Sequence, residues 1–101
     1  MLERMLERAG GEILCSVQAD HLLTDSSGRV IGVQAHDSGG RIQVNASAII
    51  VTAGTFTRNR EIMAQMEPRF YSDKDKEPIH VLSCSTCTGD GITMCREISA
   101  D

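Results

Sequence analysis

The 101-residue sequence predicts an α+β fold, in which a three-stranded antiparallel β-meander is flanked by helices. Two turn signals predict the meander: residues 25–28 read DSSG and residues 37–40 read DSGG. Both separate segments in which apolar and polar residues alternate, which is typical of strands with one face in water. Helical periodicity before and after these segments predicts the helices. We therefore expect a single partial domain over residues 1–101.

The first predicted element is a helix over residues 1–11. Its apolar residues share one face at helical spacing: Leu2, Met5, Leu6 and Ala9. Gly10 and Gly11 end this helix, because glycine accepts the left-handed backbone conformation that often follows a helix.

Residues 12–51 are predicted to form the β-meander, which leads into a buried strand. The buried strand is expected at residues 48–51, where the run AIIV is continuously apolar. Alternation indicates a strand with one face in water, whereas a continuous apolar run indicates burial of both faces. No other part of the chain contains an obvious set of strands to cover it. This segment therefore suggests that the chain is part of something larger.

Two further helices are predicted, over residues 57–67 and 88–100, with a short strand over residues 79–82 between them. Thr57 or Asn59 can cap the first of these helices, since both side chains accept a hydrogen bond from a free backbone N–H. The apolar face of the last helix has three residues: Ile92, Cys95 and Ile98.

The composition of the chain argues against two functional classes, nucleic-acid-binding proteins and membrane-spanning proteins. The net charge is −4 without clustered basic residues, which argues against nucleic-acid binding, and no apolar run approaches the roughly 20 residues of a membrane span. The N-terminal residues mix charges with apolar side chains and do not resemble a signal peptide, so a cytoplasmic location is expected. The four cysteines are then expected to be reduced thiols.

Two glycine-containing segments are candidates for ligand binding. Residues 88–91, TGDG, open a predicted helix whose free N–H groups favour an anion or a carbonyl oxygen. Residues 52–54, TAG, follow the predicted buried strand, and ligands of open α/β sheets bind at the carboxyl ends of strands. The structural alternatives are an ordinary helix start and a tight strand-to-helix turn. The dinucleotide fingerprint G-x-G-x-x-G is missing.

The remaining candidates are thiols and histidines. Cys84 and Cys87 form a C-x-x-C, for which structural thiols are favoured because a zinc site normally needs a second pair. A thiol-based metal or redox module using this pair is the alternative. His21 beside Asp20, and His36 beside Asp37, are neighbours on strands, so their side chains point to opposite faces and cannot act directly as dyads.

Taken together, these segments resemble the fumarate reductase/succinate dehydrogenase flavoprotein family. Residues 22–33, LLTDSSGRVIGV, are similar to its meander. Residues 48–56, AIIVTAGTF, are similar to its A-x-V-I-L-A-T-G-G-F segment, and residues 88–94, TGDGITM, match its T-G-D-G-I-x-M motif. The order and spacing agree along nearly the whole chain.

The resemblance implies a fragment of a Rossmann-like FAD-binding domain. The family moves hydride between the flavin and substrates such as fumarate, succinate or ketosteroids. By match, Ala19 would contact the adenine through its backbone. The segment following the predicted buried strand would line the ADP portion of FAD: Thr52, Ala53 and Gly54. The TGDG segment would lie near the ribityl chain and the flavin: Thr88, Gly89 and Asp90. No catalytic residue or metal ligand is carried over.

Three departures separate this chain from the family pattern. Thr55 stands where the family has a second glycine, Ser99 replaces a usual glycine, and Cys84 and Cys87 lie where the family more often has asparagine and glycine. The upstream fingerprint and the downstream histidine and arginine residues are absent. We therefore expect a fragment that is inactive alone, whose partner is the remainder of the parent flavoprotein.

Two other interpretations remain open at this point. The chain could be a small non-catalytic oligomeric scaffold, or the thiol module named above. In the flavoprotein interpretation the isolated fragment is also expected to self-associate, because exposed apolar patches and open strand edges attract partners.

Overall fold

The computed structural model describes residues 1–69 and 82–100. Along the chain the elements are α1 (Leu2–Arg8), β1 (Gln18–Thr24), β2 (Val30–Asp37), β3 (Gly40–Asn45), α2 (Arg60–Met66) and α3 (Asp90–Glu97). The strands form one antiparallel sheet in the order β1-β2-β3, so the α+β meander is confirmed. The strand predicted over residues 79–82 falls almost entirely outside the described residues.

The turn between β1 and β2 is organised by one carboxylate. Asp25 Oδ1 accepts hydrogen bonds from the Ser27 backbone N–H at 2.8 Å, the Ser27 hydroxyl at 2.6 Å and the Arg29 N–H at 3.0 Å. These donors, the Ser27 hydroxyl first, hold the pKa of Asp25 below its usual value. Gly28 completes the turn at φ +84°, a conformation that glycine adopts without strain. The DSSG signal therefore acts as predicted.

The strands differ in regularity. β2 and β3 pair without interruption from Gly32 opposite Asn45 to Asp37 opposite Gly40. At Gly32 the two backbones are so close that an added Cβ would lie 2.5 Å from the Val44 carbonyl oxygen. The β1–β2 pairing, in contrast, has a bulge between Ala19 and His21 and a second irregularity near its end. A bulge redirects the side chains around it.

Two helices end with the same hydrogen-bond pattern. At the end of α1, Gly10 lies at φ +83°, and the Gly10 and Gly11 N–H groups donate to the Glu7 and Leu6 carbonyls. At the end of α3, Ser99 lies at φ +57°, and the N–H groups of Ser99 and Ala100 donate to the carbonyls of Arg96 and Cys95. Both are Schellman motifs, in which a left-handed residue ends the helix. The first has glycine at that position and the second has serine.

The core of the described residues is small. Three hydrophobic residues are buried: Ala35, Ile62 and Met94. Twelve large hydrophobic side chains are exposed, among them Leu2 at 82% and Ile50 at 88%. The radius of gyration of 16.8 Å also exceeds the roughly 13 Å expected of a compact domain of this length. The chain therefore exposes apolar surface that a self-contained domain would cover.

The third helix packs against β1 with a different face from the one predicted. Its buried residues are Gly91 and Met94. Ile92, Cys95 and Ile98, the predicted apolar face, are only half-buried. A Cβ on Gly91 would lie 2.8 Å from Val51 Cγ1 and 3.3 Å from Ala53 Cβ, so the glycine lets the helix approach the segment after β3 closely.

The predicted buried strand over residues 48–51 differs from the structure. These residues form no strand, and within residues 1–69 and 82–100 no backbone hydrogen bond joins residues 47–54 to another residue. Ile50 is 88% exposed and Val51 is 40% exposed. A strand needs a paired neighbour, and the apolar pattern alone does not supply one. Within the meander predicted over residues 12–51, the first strand begins only at Gln18.

In the part of the chain that the structure describes, no helix has the length and apolar character needed to cross a membrane.

The predicted helices are longer than those observed. Residues 57–67 contain α2, which begins at Arg60, and residues 88–100 contain α3, which ends at Glu97. Asn59 caps α2, accepting from the N–H groups of Glu61 and Ile62 at 3.1 Å each.

Candidate functional site

The two glycine-containing segments of the sequence meet at the start of α3. Gly89 is the N-cap of this helix at φ +87°, and an added Cβ would lie 2.8 Å from Ile62 Cδ1 and 2.9 Å from Phe56 Cβ. Two residues further, a Cβ on Gly91 would lie 2.8 Å from Val51 Cγ1 and 3.3 Å from Ala53 Cβ. Both glycines therefore allow protein segments to pack on each other, which is the structural interpretation of the TGDG motif.

Hydrogen bonds fasten the loop before α3 onto the segment before α2. The Arg58 N–H donates to the Cys87 carbonyl at 3.0 Å, and the Asn59 side-chain amide donates to the Thr88 carbonyl at 3.0 Å. The Thr57 and Ser83 hydroxyls lie 2.7 Å apart. We call residues 54–59 together with residues 83–89 the junction. The junction links residues 52–54 to residues 88–90, the two segments that the family resemblance assigns to FAD.

A polar cleft of about 400 Å³ lies on one side of α3, between the helix and the meander. Residues from β1, β2, β3 and α3 line it: Gln18, Ala19, Asp20, His21, Gln34, His36, Arg41, Asp90, Thr93 and Met94. The cleft holds both carboxylates and basic side chains. It can therefore hydrogen-bond a ligand that carries several donors and acceptors.

A more apolar cleft of about 660 Å³ lies on the other side of α3. Its walls come from the segment after β3 and from the exposed sides of α2 and α3: Val51, Thr52, Ala53, Gly54, Met66, Gly91, Ile92, Cys95, Arg96 and Ala100. Val51 of the predicted buried strand thus shares this cleft with Ile92 and Cys95 of the predicted apolar helix face.

The structure divides the predicted cofactor residues between these places. Ala19 and Asp90 line the polar cleft together, whereas residues 52–54 line the apolar cleft. Thr88 and Gly89 line neither of these two clefts. The Thr88 hydroxyl instead donates to Asp90 Oδ1 at 2.9 Å. The seven residues therefore surround the N-terminal part of α3 without sharing one cavity.

Two histidine–carboxylate pairs at the polar cleft were missed by reasoning from the sequence. His21 Nδ1 donates to Glu97 Oε2 at 2.7 Å, and His36 Nδ1 donates to Asp20 Oδ2 at 2.7 Å. The Glu97 hydrogen bond and then its charge raise the pKa of His21. Asp20 pairs across the strands rather than with its neighbour, at the bulge between Ala19 and His21. Strand alternation alone does not reveal a bulge.

Among the described residues, no cluster of three or more histidine, cysteine, aspartate or glutamate side chains could hold a metal ion. At the same cleft, the hydrogen bond between His21 and Glu97 joins the sheet to α3.

No model of a known protein family matches the sequence. The solved structures with a similar fold include two enzymes. A 3-ketosteroid-Δ4-(5α)-dehydrogenase from Rhodococcus jostii RHA1, solved in complex with 4-androstene-3,17-dione, has a TM-score of 0.80 and 25% identity over 99% of this chain and 20% of that chain. A flavocytochrome c3 fumarate reductase in an open conformation has a TM-score of 0.80 and 24% identity over 99% of this chain and 17% of that chain.

Both similar proteins are oxidoreductases by name, and the fold of this chain is flavoprotein-like. The chain spans about one fifth of the length of each. The likeness covers the meander, the junction and all three helices, since almost the whole chain is aligned.

Proposed function

We propose that the chain is an internal part of the Rossmann-like FAD-binding domain of a larger flavoprotein oxidoreductase. The parent protein would be of the fumarate reductase, succinate dehydrogenase or ketosteroid dehydrogenase type. The chain itself would contribute part of the FAD-binding site and would be inactive alone. Its partner is the remainder of the parent protein.

The observation that carries this proposal is the exposed segment after the meander. Ile50 is 88% exposed in a run that has the composition of a doubly buried strand. Next to it, the apolar cleft places Val51 beside Ile92 and Cys95. An open apolar segment beside an open apolar cleft is the surface expected where further strands of a larger domain pack. The one-fifth coverage of two oxidoreductases agrees with this.

The residues around α3 fit parts of FAD rather than the whole molecule. Gly89 contributes no side-chain cap to α3, so the first N–H groups of the helix favour a ligand acceptor. The Asp90 carboxylate can accept from the hydroxyl groups of a ribityl chain, and it faces the same cleft as Ala19. FAD would supply the hydride chemistry of the parent. The residues of this chain would bind and orient it.

The experiment is to read the coding sequence on both sides of this segment in its source and to express the whole reading frame. We expect an upstream strand followed by G-x-G-x-x-G, and a purified protein with flavin absorbance. Asp90→Ala should then weaken FAD binding by about tenfold to a hundredfold, as expected for the loss of a hydrogen bond to a charged group. The matched control is Glu61→Ala, because Glu61 is an exposed acidic residue of α2 that lines neither cleft.

The scaffold interpretation is the second candidate, and the exposed apolar residues of α1 favour it. Leu2 is 82% exposed and Met5 is 61% exposed, so α1 presents an apolar face. A reading frame limited to these 101 residues, giving a defined oligomer without bound flavin, would replace the flavoprotein proposal with this one.

A further inference from the structure

We propose that Cys84 and Cys87 form a reversible disulfide, which makes the junction a thiol–disulfide switch that a small disulfide of the glutathione class can oxidise. This inference is independent of the flavoprotein proposal, because it rests on the junction alone. It gives a role to the C-x-x-C at the place where the chain departs from its family pattern.

The backbone already holds the two cysteines at bridging distance. The Cys87 N–H donates to the Cys84 carbonyl at 3.1 Å across a four-residue turn. Such a turn keeps its first and last Cα atoms within about 7 Å, and disulfides span Cα separations of about 4.4 to 6.8 Å. Closing the bridge therefore needs side-chain rotation and little movement of the backbone.

Both thiols can be reached from solvent. Cys84 is exposed and Cys87 is half-buried, and both are free in the reduced chain. Cys84 is the more exposed of the two. It is therefore suited to react second, by attacking the mixed disulfide already formed at Cys87. The other two cysteines, Cys15 and Cys95, lie outside the junction, so neither is placed to compete within this turn.

Cys87 is the nucleophile. The Thr55 backbone N–H contributes most to holding the pKa of its thiol below the usual value, followed by the Thr55 hydroxyl, the Cys84 amide and the positive charge of Arg58. Partial burial opposes these effects. More of Cys87 is therefore thiolate at neutral pH than in an ordinary cysteine, and the thiolate is the reacting species.

The chemistry balances with a small disulfide as oxidant. The Cys87 thiolate attacks one sulfur of the disulfide RSSR, forming a Cys87–SR mixed disulfide and releasing RS⁻, which takes up a proton. The Cys84 thiol loses its proton and attacks the Cys87 sulfur, forming the Cys84–Cys87 bond and releasing a second RS⁻. Two cysteine thiols are oxidised and one RSSR is reduced to two RSH. Excess thiol reverses both steps.

Oxidation would act on the packing of the junction. The reduced Cys87 sulfur lies 3.6 Å from the position that a Cβ on Gly54 would occupy. The Cys87 carbonyl is held by the Arg58 N–H. Turning the sulfur toward Cys84 moves it away from Gly54, so the packing of this turn on residues 54–58 depends on its redox state.

The test treats the full 101-residue chain with increasing ratios of oxidised to reduced glutathione, followed by alkylation and mass spectrometry. We expect the oxidised wild-type chain to carry two alkyl groups where the reduced chain carries four, with the bond mapped to Cys84 and Cys87 by peptide fragmentation. Excess dithiothreitol before alkylation should restore all four. An oxidised chain whose bridge involves Cys15 or Cys95, or one that carries only mixed disulfides, would overturn the proposal.

Single variants separate the two roles. Cys84→Ser should trap glutathione on Cys87, whereas Cys87→Ser should prevent the intramolecular bond and react severalfold more slowly. Cys15→Ser is the matched control and should behave as wild type. If a variant does not fold, alkylation rates of the individual cysteines in wild type still decide the order of reaction. Cys87 reacting no faster than Cys15 would contradict its assignment as nucleophile.

Discussion

The meander, Gln18–Asn45, and the region after it are held together by different means. The meander has its own ladder of backbone hydrogen bonds and turns closed by Asp25 and Asp37. The later region depends on the junction and on glycines that let α3 approach its neighbours, and it leaves residues 47–54 without described backbone partners. The meander therefore supplies its own backbone partners, whereas residues 47–54 find none among the described residues, which supports the proposal that they pack against parts of a larger protein.

The largest expected effect comes from Gly89→Ala in the junction. The variant would strain a residue at φ +87° and place a Cβ 2.9 Å from Phe56 Cβ. We expect a loss of about 2 to 4 kcal/mol in unfolding free energy, from left-handed strain and overpacking together. Urea denaturation followed by circular dichroism measures it.

The matched control for this variant lies in the meander. Gly28 has nearly the same backbone conformation, φ +84°, but nothing lies within 4 Å of the position of its Cβ. Gly28→Ala should therefore cost only about 1 kcal/mol from backbone strain. Equal losses for the two variants would mean that packing at Gly89 contributes nothing, which would break the contrast between the two regions.

The cap of α2 gives the next largest effect. Asn59→Ala removes the acceptor of two helix N–H groups and the donor to the Thr88 carbonyl, and it should cost about 1 to 2 kcal/mol in the same denaturation experiment. Asn59→Asp keeps the cap and loses the donor, so it should cost less. If the two variants lose the same amount, the link to Thr88 rather than the cap holds this region.

A smaller effect, in the stabilising direction, is expected at the end of α3. Ser99 is left-handed at φ +57° in the Schellman motif, where α1 has Gly10. Ser99→Gly should raise the free energy of unfolding by about 0.5 to 1 kcal/mol, because glycine adopts this conformation without strain. Ser99→Ala is the control and should give no gain. A destabilised glycine variant would show that the serine side chain matters more than its backbone.

The smallest effect is the pH dependence of the contact between α3 and the meander. Glu97 raises the pKa of His21, so the stabilisation is complete below the unfolded histidine pKa of about 6.5 and is lost as the pH rises through the folded value. Nuclear magnetic resonance titration should find a higher His21 pKa in wild type than in Glu97→Gln. Identical titrations would show that the pair does not form in solution.

The contrast between the two regions also decides what could be predicted from the sequence. The DSSG and DSGG turns, the glycine end of α1 and the Asn59 cap depend on residues near in sequence, and the patterns locate them. The bulge at Asp20 depends on how β1 meets its neighbour. The burial of Gly91 and Met94 depends on which segment reaches α3. The helix end at Ser99 lacks the usual glycine, so the sequence pattern does not predict it.

The candidate cofactor residues are the least predictable part of the site. Ala19 and Asp90 are distant in sequence and face the same cleft because α3 packs on β1. No local pattern predicts that packing, and the family resemblance supplied the two residues as candidates. The roles of all seven in binding FAD remain part of the proposed function.

Hydrogen exchange of residues 47–54, measured by mass spectrometry, tests the central claim most directly. The same peptide would be followed in the 101-residue chain and in the protein made from its complete reading frame, with β2 as the internal reference. We predict rapid exchange of this segment and slow exchange of β2 in the short chain, and strong protection of both in the longer, flavin-containing protein. Protection of residues 47–54 equal to that of β2 in the short chain would contradict the account, because the segment would then need no partner from a larger protein.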